Sequence, residues 1–176
     1  MAENGDTRAR RVIHAAREFG AVVLNAPEVN MAIFALLLNY PWELLQAPLY
    51  LGMATAPHWL AVQRCTVATI GDGVLILFAY FVIAVCSRRR WWMLRPTHLQ
   101  SYAFVLIGVG VTIAVERWSI SGVSGGWGYS QYMPIVPGFG VGLSPMVQWT
   151  LIPPLVLWFV RRQLSCRGSA PVGDHI

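Results

Sequence analysis

Three carboxylic side chains lie within or at the edge of stretches of sequence that are otherwise apolar. They are Glu43, Asp72 and Glu116. An ionised side chain near the centre of a bilayer costs about 2.5–3.5 kcal/mol even on the lenient insertion scale, so such residues normally face the interior of a helical bundle and mark functional sites. A carboxyl group enclosed by aromatic rings can stay protonated near neutral pH and act as an acid. Such an acid can protonate an alkene or an epoxide, and aromatic faces can stabilise the cation that forms.

Other polar and aromatic side chains fall at depths where they can join these acids. Asn39, Glu43 and Gln46 share one helical face because they are spaced by four and three residues. Polar groups that converge beneath a segment rich in glycine and aromatic residues predict a pocket in the outer half of the bilayer. The three acids are the candidate catalytic residues. The candidate substrate-binding residues are Asn39, Trp42, Gln46, His58, Trp127, Tyr129 and Gln148.

Two further uses of the same acids are open. The first is the binding of a cation or a metal, with His58 as an additional ligand. Of the four histidines in the sequence, only His58 falls near the depth of these acids, and the three cysteines have no paired spacing, so we predict neither a metal nor a cofactor. The second use is the passage of a proton or a substrate between the two faces. It is the weakest alternative, because the later spans have few polar residues in their inner halves.

A purely structural role is also open for two of the acids. Glu116 can form an interfacial ion pair with the adjacent Arg117. Asp72 can bond Arg64 or Asn39 and lock the helices together. Glu43 is harder to explain in this way, because a carboxyl group in the middle of a span has no solvent around it. The functional interpretation is therefore strongest for Glu43.

The composition places this chain in a membrane. Of its 176 residues, 56% are hydrophobic and 12% are charged, whereas soluble domains have about 25% charged residues. All thirteen basic residues are arginine, and all but Arg64 and Arg117 cluster beside apolar segments. The apolar stretches predict an all-α integral membrane protein with a bundle of four transmembrane helices. The positive-inside rule places both termini in the cytoplasm, and the expected location is the cell inner membrane. We expect no nucleic-acid partner, because no soluble stretch is long enough to form a basic groove.

The predicted organisation has a cytoplasmic tail, a transmembrane domain and a second tail. Residues 1–26 form the first tail, with a short amphipathic helix at 7–19. The transmembrane domain covers residues 27–163, and residues 164–176 form a disordered cytoplasmic tail. The four predicted spans cover residues 27–52, 66–86, 99–116 and 145–162. The segment at residues 119–144, between the third and fourth spans, is predicted to be external, and we interpret it as a lid or re-entrant cap.

The stretch from Asn39 to Gln46 resembles a motif of a known family. Its residues Asn39, Trp42 and Glu43 are similar to the Asn-x-x-Trp-Glu motif of the transmembrane terpene cyclases of meroterpenoid pathways. This resemblance implies that Glu43 is the acid that starts cyclisation by protonating an epoxide or alkene, with Asp72 or Glu116 as its helper. That family has more than four spans, which leaves the identity of the second acid open.

The whole layout also resembles small uncharacterised polytopic membrane proteins of bacteria. These have a Trp-Glu pair in the first span and a Trp-x-Tyr and Met-Pro loop, represented here by Trp127, Tyr129, Met133 and Pro134. This second resemblance implies a class of protein and no activity. The theme of buried acids beside tryptophan is further similar to that of small four-span sterol isomerases.

Together these observations predict a membrane-embedded enzyme that acts on a lipidic, isoprenoid-like substrate. The predicted chemistry is acid-initiated carbocation chemistry of the terpene cyclase or isomerase kind. The alternative is a non-enzymatic membrane subunit, an assembly factor or a lipid-binding protein. The expected partners are the lipid bilayer and a lipidic small molecule, and both homo-oligomers and hetero-oligomers are compatible with the sequence. Acids that face one cavity within a single chain would favour an enzyme or a ligand-binding protein over a subunit.

Overall fold

The chain is mostly helical. The computed structural model describes residue 14, residues 25–122 and residues 126–166. The four long helices are α1 (Pro27–Gln46), α2 (His58–Ser87), α3 (His98–Ile120) and α4 (Leu143–Cys166). Short 3₁₀ turns follow α1 at Ala47–Leu49 and precede α3 at Trp92–Leu94. The amphipathic helix predicted at residues 7–19 lies outside the described residues apart from His14, and so does most of the tail predicted at residues 164–176.

Three of the helices, α2, α3 and α4, are long and apolar enough to cross a membrane. The sequence-based prediction of a helical membrane protein is confirmed to that extent. Helix α1 is different in composition, because it has several polar residues that are buried in the bundle. Its buried polar side chains are Asn30, Asn39, Glu43 and Gln46.

The connection between α1 and α2 is shorter than the sequence predicted. Helix α2 begins at His58, directly after Pro57, whereas the predicted span began at residue 66. Helix α1 ends at Gln46 and is followed by the 3₁₀ turn Ala47–Leu49. Pro48 lies in this turn and has no backbone N–H, so it cannot continue the helical hydrogen bonds. Residues 58–65, which the prediction left between the first two spans, instead form the first two turns of α2, where several of them are exposed.

The arginine-rich end of the bundle is closed by an ion pair. Arg90, just after α2, donates from Nε to Glu28 Oε1 at 2.7 Å and from a terminal nitrogen to Glu28 Oε2 at 2.8 Å. The hydroxyl of Tyr80 donates to the carbonyl of Arg90 at 2.7 Å. Trp92 and Met93, which follow Arg90 in the same loop, are buried. The start of α1 is thereby held against the loop that leads from α2 to α3.

The opposite end is covered by the segment between α3 and α4. Its first part pairs with the end of α1, because the amide of Leu51 donates to the carbonyl of Gly128 at 2.8 Å and the amide of Ser130 donates to the carbonyl of Leu49 at 2.9 Å. Its second part is a small antiparallel hairpin of β1 (Ile135–Val136) and β2 (Val141–Gly142). The segment is therefore bonded to the bundle and leads directly into α4.

Candidate functional site

The site begins with the inward face of α1. Asn39, Glu43 and Gln46 are all buried, at one-turn intervals. The outward face presents leucines instead, with Leu37 61% exposed and Leu45 79% exposed. The helix is thus apolar outside and polar inside, the reverse of a helix on a soluble protein.

Gln148 of α4 connects this polar face to α2. Its Nε2 lies 2.8 Å from Asn39 Oδ1, 3.1 Å from Glu43 Oε1 and 2.8 Å from Asp72 Oδ2, so its two hydrogens are shared among three acceptors. Gln148 is 2% exposed. One buried amide therefore joins three helices and fixes the two acids of α1 and α2 beside each other.

A second glutamine orients the first. Gln46 Nε2 donates to Glu43 Oε1 at 2.7 Å and to Gln148 Oε1 at 3.1 Å. Its own oxygen accepts from Trp42 Nε1 at 3.2 Å and from Ser144 Oγ at 2.8 Å. Because every polar atom of Gln46 has a partner, its amide cannot rotate without losing hydrogen bonds, and Glu43 is held in one position.

The carboxyl groups of Glu43 and Asp72 lie next to each other, because both contact the same nitrogen of Gln148. Two ionised carboxylates this close to each other and away from water repel, so the pair favours a state that holds one proton. Two such groups that share a site behave as a pair with a single proton, as in the aspartic proteases. The arrangement can therefore hold a proton for transfer to a bound molecule.

Glu116 lies in a separate group of aromatic donors. It accepts hydrogen bonds from the hydroxyls of Tyr50 (3.3 Å) and Tyr129, and from the indole nitrogen of Trp127 (3.2 Å). Glu116 is 6% exposed, whereas the adjacent Arg117 is exposed. The partners that the structure gives to Glu116 are thus neutral, and the ion pair with Arg117 is not formed among the described residues.

Tyr129 links Glu116 to the β1–β2 hairpin. Its hydroxyl accepts a hydrogen bond from the backbone amide of Gly142 at 2.9 Å while it donates to Glu116. Burial, together with the hydrogen bond to Glu116, raises the pKa of Tyr129 well above its usual value. Burial and the negative charge of Glu116 raise the pKa of Tyr50 in the same direction. Both phenols therefore stay neutral and remain donors over the whole physiological range.

All three acids line one cavity of about 1220 Å³. Its polar wall holds Glu43, Asp72 and Glu116, and much of the remaining wall is apolar. Val67 and Val74 of α2 also line it and are 65% and 61% exposed. The cavity is therefore open on the side of α2 that faces outward from the bundle, and a molecule can enter it from that side.

The predicted site residues differ in how they relate to this cavity. Six of them line it directly: Glu43, Gln46, Asp72, Glu116, Trp127 and Gln148. Three others hold lining residues in place through hydrogen bonds: Asn39, Trp42 and Tyr129. His58 is exposed at the first position of α2 and is not part of the cavity wall.

Three residues of the site escaped the sequence analysis. Tyr50 follows the short turn after α1, and Ser144 is the second residue of α4. Thr112 lies one turn before Glu116 on α3. Thr112 had a detectable signal, because a spacing of four residues places it on the same helical face as Glu116. Tyr50 and Ser144 had none, since their contacts depend on how the chain folds at the ends of the helices.

The described residues contain no group of three or more histidine, cysteine, aspartate or glutamate side chains arranged to hold a metal ion. Comparison with protein-family models, with curated proteins and with solved structures gives no match. The chemistry of this site is therefore argued from its own geometry.

Proposed function

We propose that the chain is a four-span protein of the inner membrane, with α1 as the first span. The argument for α1 is its inverted polarity, with polar residues against the other helices and leucines facing outward. Its 20 residues correspond to a length of about 30 Å, which matches the hydrocarbon core of a bilayer. Arginines are concentrated at the end where Glu28 meets Arg90, which by the positive-inside rule is the cytoplasmic end.

The proposed activity is the acid-catalysed isomerisation or cyclisation of an isoprenoid-like lipid. The single observation that carries this proposal is the pair of Glu43 and Asp72, whose carboxyl groups contact the same Gln148 nitrogen in the wall of a cavity that is otherwise largely apolar. In the first step, the proton of the pair adds to an alkene carbon of the substrate, which becomes a carbocation. In the last step, the same pair, now without its proton, removes a proton from a neighbouring carbon, and the electrons of that C–H bond form the new alkene. The proton count is then restored without a cofactor.

Aromatic rings are available to stabilise the cation between these steps. Tyr50, Trp127 and Trp149 all line the cavity, and the face of an aromatic ring attracts a cation by about 0.5–2 kcal/mol. The resemblance of Asn39, Trp42 and Glu43 to the motif of transmembrane terpene cyclases supports the same assignment, with Glu43 as the acid.

A lipid-binding protein without catalysis is the second candidate. It is favoured by the size and lateral opening of the cavity, which suit a lipid that enters from the bilayer. The two candidates differ in what the acid pair does. A protein that only binds lipid has no need of a proton shared by two carboxyl groups, whereas an acid catalyst depends on it.

The experiment has two stages. Lipids that co-purify with the protein are extracted and identified by mass spectrometry, and the identified lipid is then incubated with purified protein. We expect turnover by the wild type and a loss of at least about 100-fold in Glu43→Gln and Asp72→Asn, in keeping with the usual contribution of general acid catalysis. Glu28→Gln, which removes a carboxylate at the arginine-rich end, is the matched control and should keep full activity. Equal turnover by all variants would refute the role of the acid pair.

A further inference from the structure

Among the described residues, Arg64 is the only basic side chain in the wall of the cavity. It lies on the second turn of α2 and is exposed. One of its terminal nitrogens lies 3.7 Å from the sulfur of Met53, which also lines the cavity, so the guanidinium group itself is at the cavity wall. No carboxylate of the described residues pairs with it. Because a guanidinium group has five N–H donors, most of them are open to a ligand.

The position of Arg64 departs from the distribution of the other arginines. Eleven of the thirteen lie in the clusters that we place on the cytoplasmic side, and only Arg64 and Arg117 do not. Arg117 is exposed as well, but it is not part of the cavity wall. Arginine side chains near the end of a span extend their charged group toward the head-group layer. Arg64 therefore places a positive charge where the outer end of the cavity meets that layer.

The stretch of α2 between Arg64 and the acid pair has no other charge. Ala68 and Asp72 follow Arg64 at intervals of four residues, so the three lie on one face of the helix, and all of them line the cavity. Val67 and Gly71 line it in the same stretch and have no polar side chain. Eight residues of helix correspond to about 12 Å, so the acid pair lies about that much deeper than the arginine.

We infer that Arg64 binds the phosphate head group of an isoprenoid phosphate at the outer end of the cavity. This inference rests on the proposed function, because it specifies the substrate of the same cavity. A phosphate group accepts the two parallel hydrogen bonds that a guanidinium group donates. A phosphate monoester has three strong acceptor oxygens, so it can also accept from the amide of Gln63, which is exposed and lines the cavity beside Arg64.

The acids of the wall determine which way such a molecule lies. The repulsion between like charges weakens with distance, so the phosphate stays at Arg64 and away from Glu43 and Asp72. Glu116 is 6% exposed, and its oxygens already accept from three neutral donors. The apolar chain then extends inward along α2. The alkene that meets the acid pair is therefore remote from the head group and is not the one next to the phosphate ester.

The test compares probes that share a chain and differ in the head group. Geranylgeranyl monophosphate and geranylgeraniol are titrated separately against the detergent-solubilised protein by native mass spectrometry, and inorganic phosphate is the probe without a chain. We expect the wild type to prefer the prenyl phosphate. Arg64→Gln should reduce that preference at least about tenfold and leave binding of the alcohol unchanged. Arg64→Lys should keep part of the preference, since it retains the charge without the paired donors.

Arg117→Gln is the matched control, because it removes the other arginine outside the cytoplasmic clusters and does not alter the cavity wall. It should keep the full preference for the prenyl phosphate. An equal loss in Arg117→Gln would refute the inference, because the effect would then come from overall charge. Arg64 is exposed, so Arg64→Gln should leave the ligand-free melting temperature unchanged, and its loss of binding is then separate from any loss of folding.

The remaining outcomes separate the head-group site from the lipid cavity. If Arg64→Gln keeps the full preference, or if the wild type binds the two prenyl probes equally, the head-group site is refuted while the lipid cavity stands. If inorganic phosphate binds as tightly as the prenyl phosphate and with the same dependence on Arg64, the site takes a free anion and the amphiphilic substrate is refuted. If the wild type binds neither prenyl probe, both the inference and the proposed lipid site fail.

Discussion

The amide nitrogen of Gln148 lies 2.8 Å from the carboxylate oxygen of Asp72, and this contact joins α4 to α2 across the interior of the bundle. The same nitrogen also reaches Glu43 at 3.1 Å. Without Gln148 the two acids would still be near each other, but nothing on α4 would fix their orientation. The amide is thus a positioning group for the pair to which we assign the acid chemistry.

Replacing Gln148 with leucine should therefore destabilise the protein and impair the site together. The change leaves Asn39, Asp72 and Glu43 without a donor that they have in the wild type, which costs about 1–3 kcal/mol for each buried acceptor that finds no other partner. Thermal unfolding in detergent measures the effect. Gln131→Leu, at an exposed position of the external segment, is the control and should change the melting temperature little.

Gly108 and Gly110 of α3 provide a paired test of helix packing. A Cβ atom at Gly108 would lie 2.2 Å from the ring of Trp149, whereas at Gly110 it would meet nothing within 4 Å. Gly108→Ala should destabilise by about 1–3 kcal/mol, because the buried ring has to shift. Gly110→Ala should be neutral or stabilising, since alanine favours the helix. Equal melting temperatures for the two variants would contradict the close packing of α3 on α4.

Tyr129→Phe should loosen the external hairpin. The variant loses the hydrogen bond to Glu116 and also the acceptor for the amide of Gly142. Hydrogen exchange at residues 135–142 should increase relative to the wild type. Tyr132→Phe removes a hydroxyl from a side chain that is 71% exposed and should leave the exchange unchanged.

The same tyrosine predicts a dependence of stability on alkaline pH. Its pKa is raised in the folded protein above the unfolded value of about 10. The folded state then holds a proton that the unfolded state loses, so this contribution to stability is complete below pH 10 and declines as the pH rises above it. Melting temperatures measured from pH 8 to 11.5 should fall less steeply in Tyr129→Phe than in the wild type. Parallel curves would show that Tyr129 is not buried in this way.

Much of the helical layout follows from the sequence, because apolar runs, proline and glycine mark the helices directly. The shared face of Asn39, Glu43 and Gln46 also follows, since it depends only on helical spacing. The alternative ion pair of Glu116 with Arg117 is not formed among the described residues, because adjacent helical residues point about 100° apart and Arg117 does not face the interior with Glu116. His58 was misplaced because α2 begins eight residues earlier than predicted, which puts this side chain at the exposed start of the helix.

Other parts of the site depend on tertiary structure. The position of Gln148 at the centre of the polar network depends on the rotation of α4 about its axis. The sequence does not reveal this rotation, because α4 has no distinct polar face and contains Pro153 and Pro154. Tyr50 reaches Glu116 because the segment after α1 pairs with residues 128–130, a contact across about 80 positions of the chain. Neither the position of Gln148 nor the contact of Tyr50 with Glu116 can be recognised from the residues nearby in the sequence.

Transfer of a proton to carbon is the central claim, and deuterium incorporation tests it most directly. A lipid extract of membranes is incubated with the purified protein in D₂O, and each lipid species is examined by mass spectrometry. We predict that a discrete isoprenoid-like lipid gains one deuterium bound to carbon with the wild type and with Glu28→Gln, and gains none with Glu43→Gln or Asp72→Asn. Absence of carbon-bound deuterium with the wild type, or its equal incorporation by the Glu43 and Asp72 variants, would contradict the account.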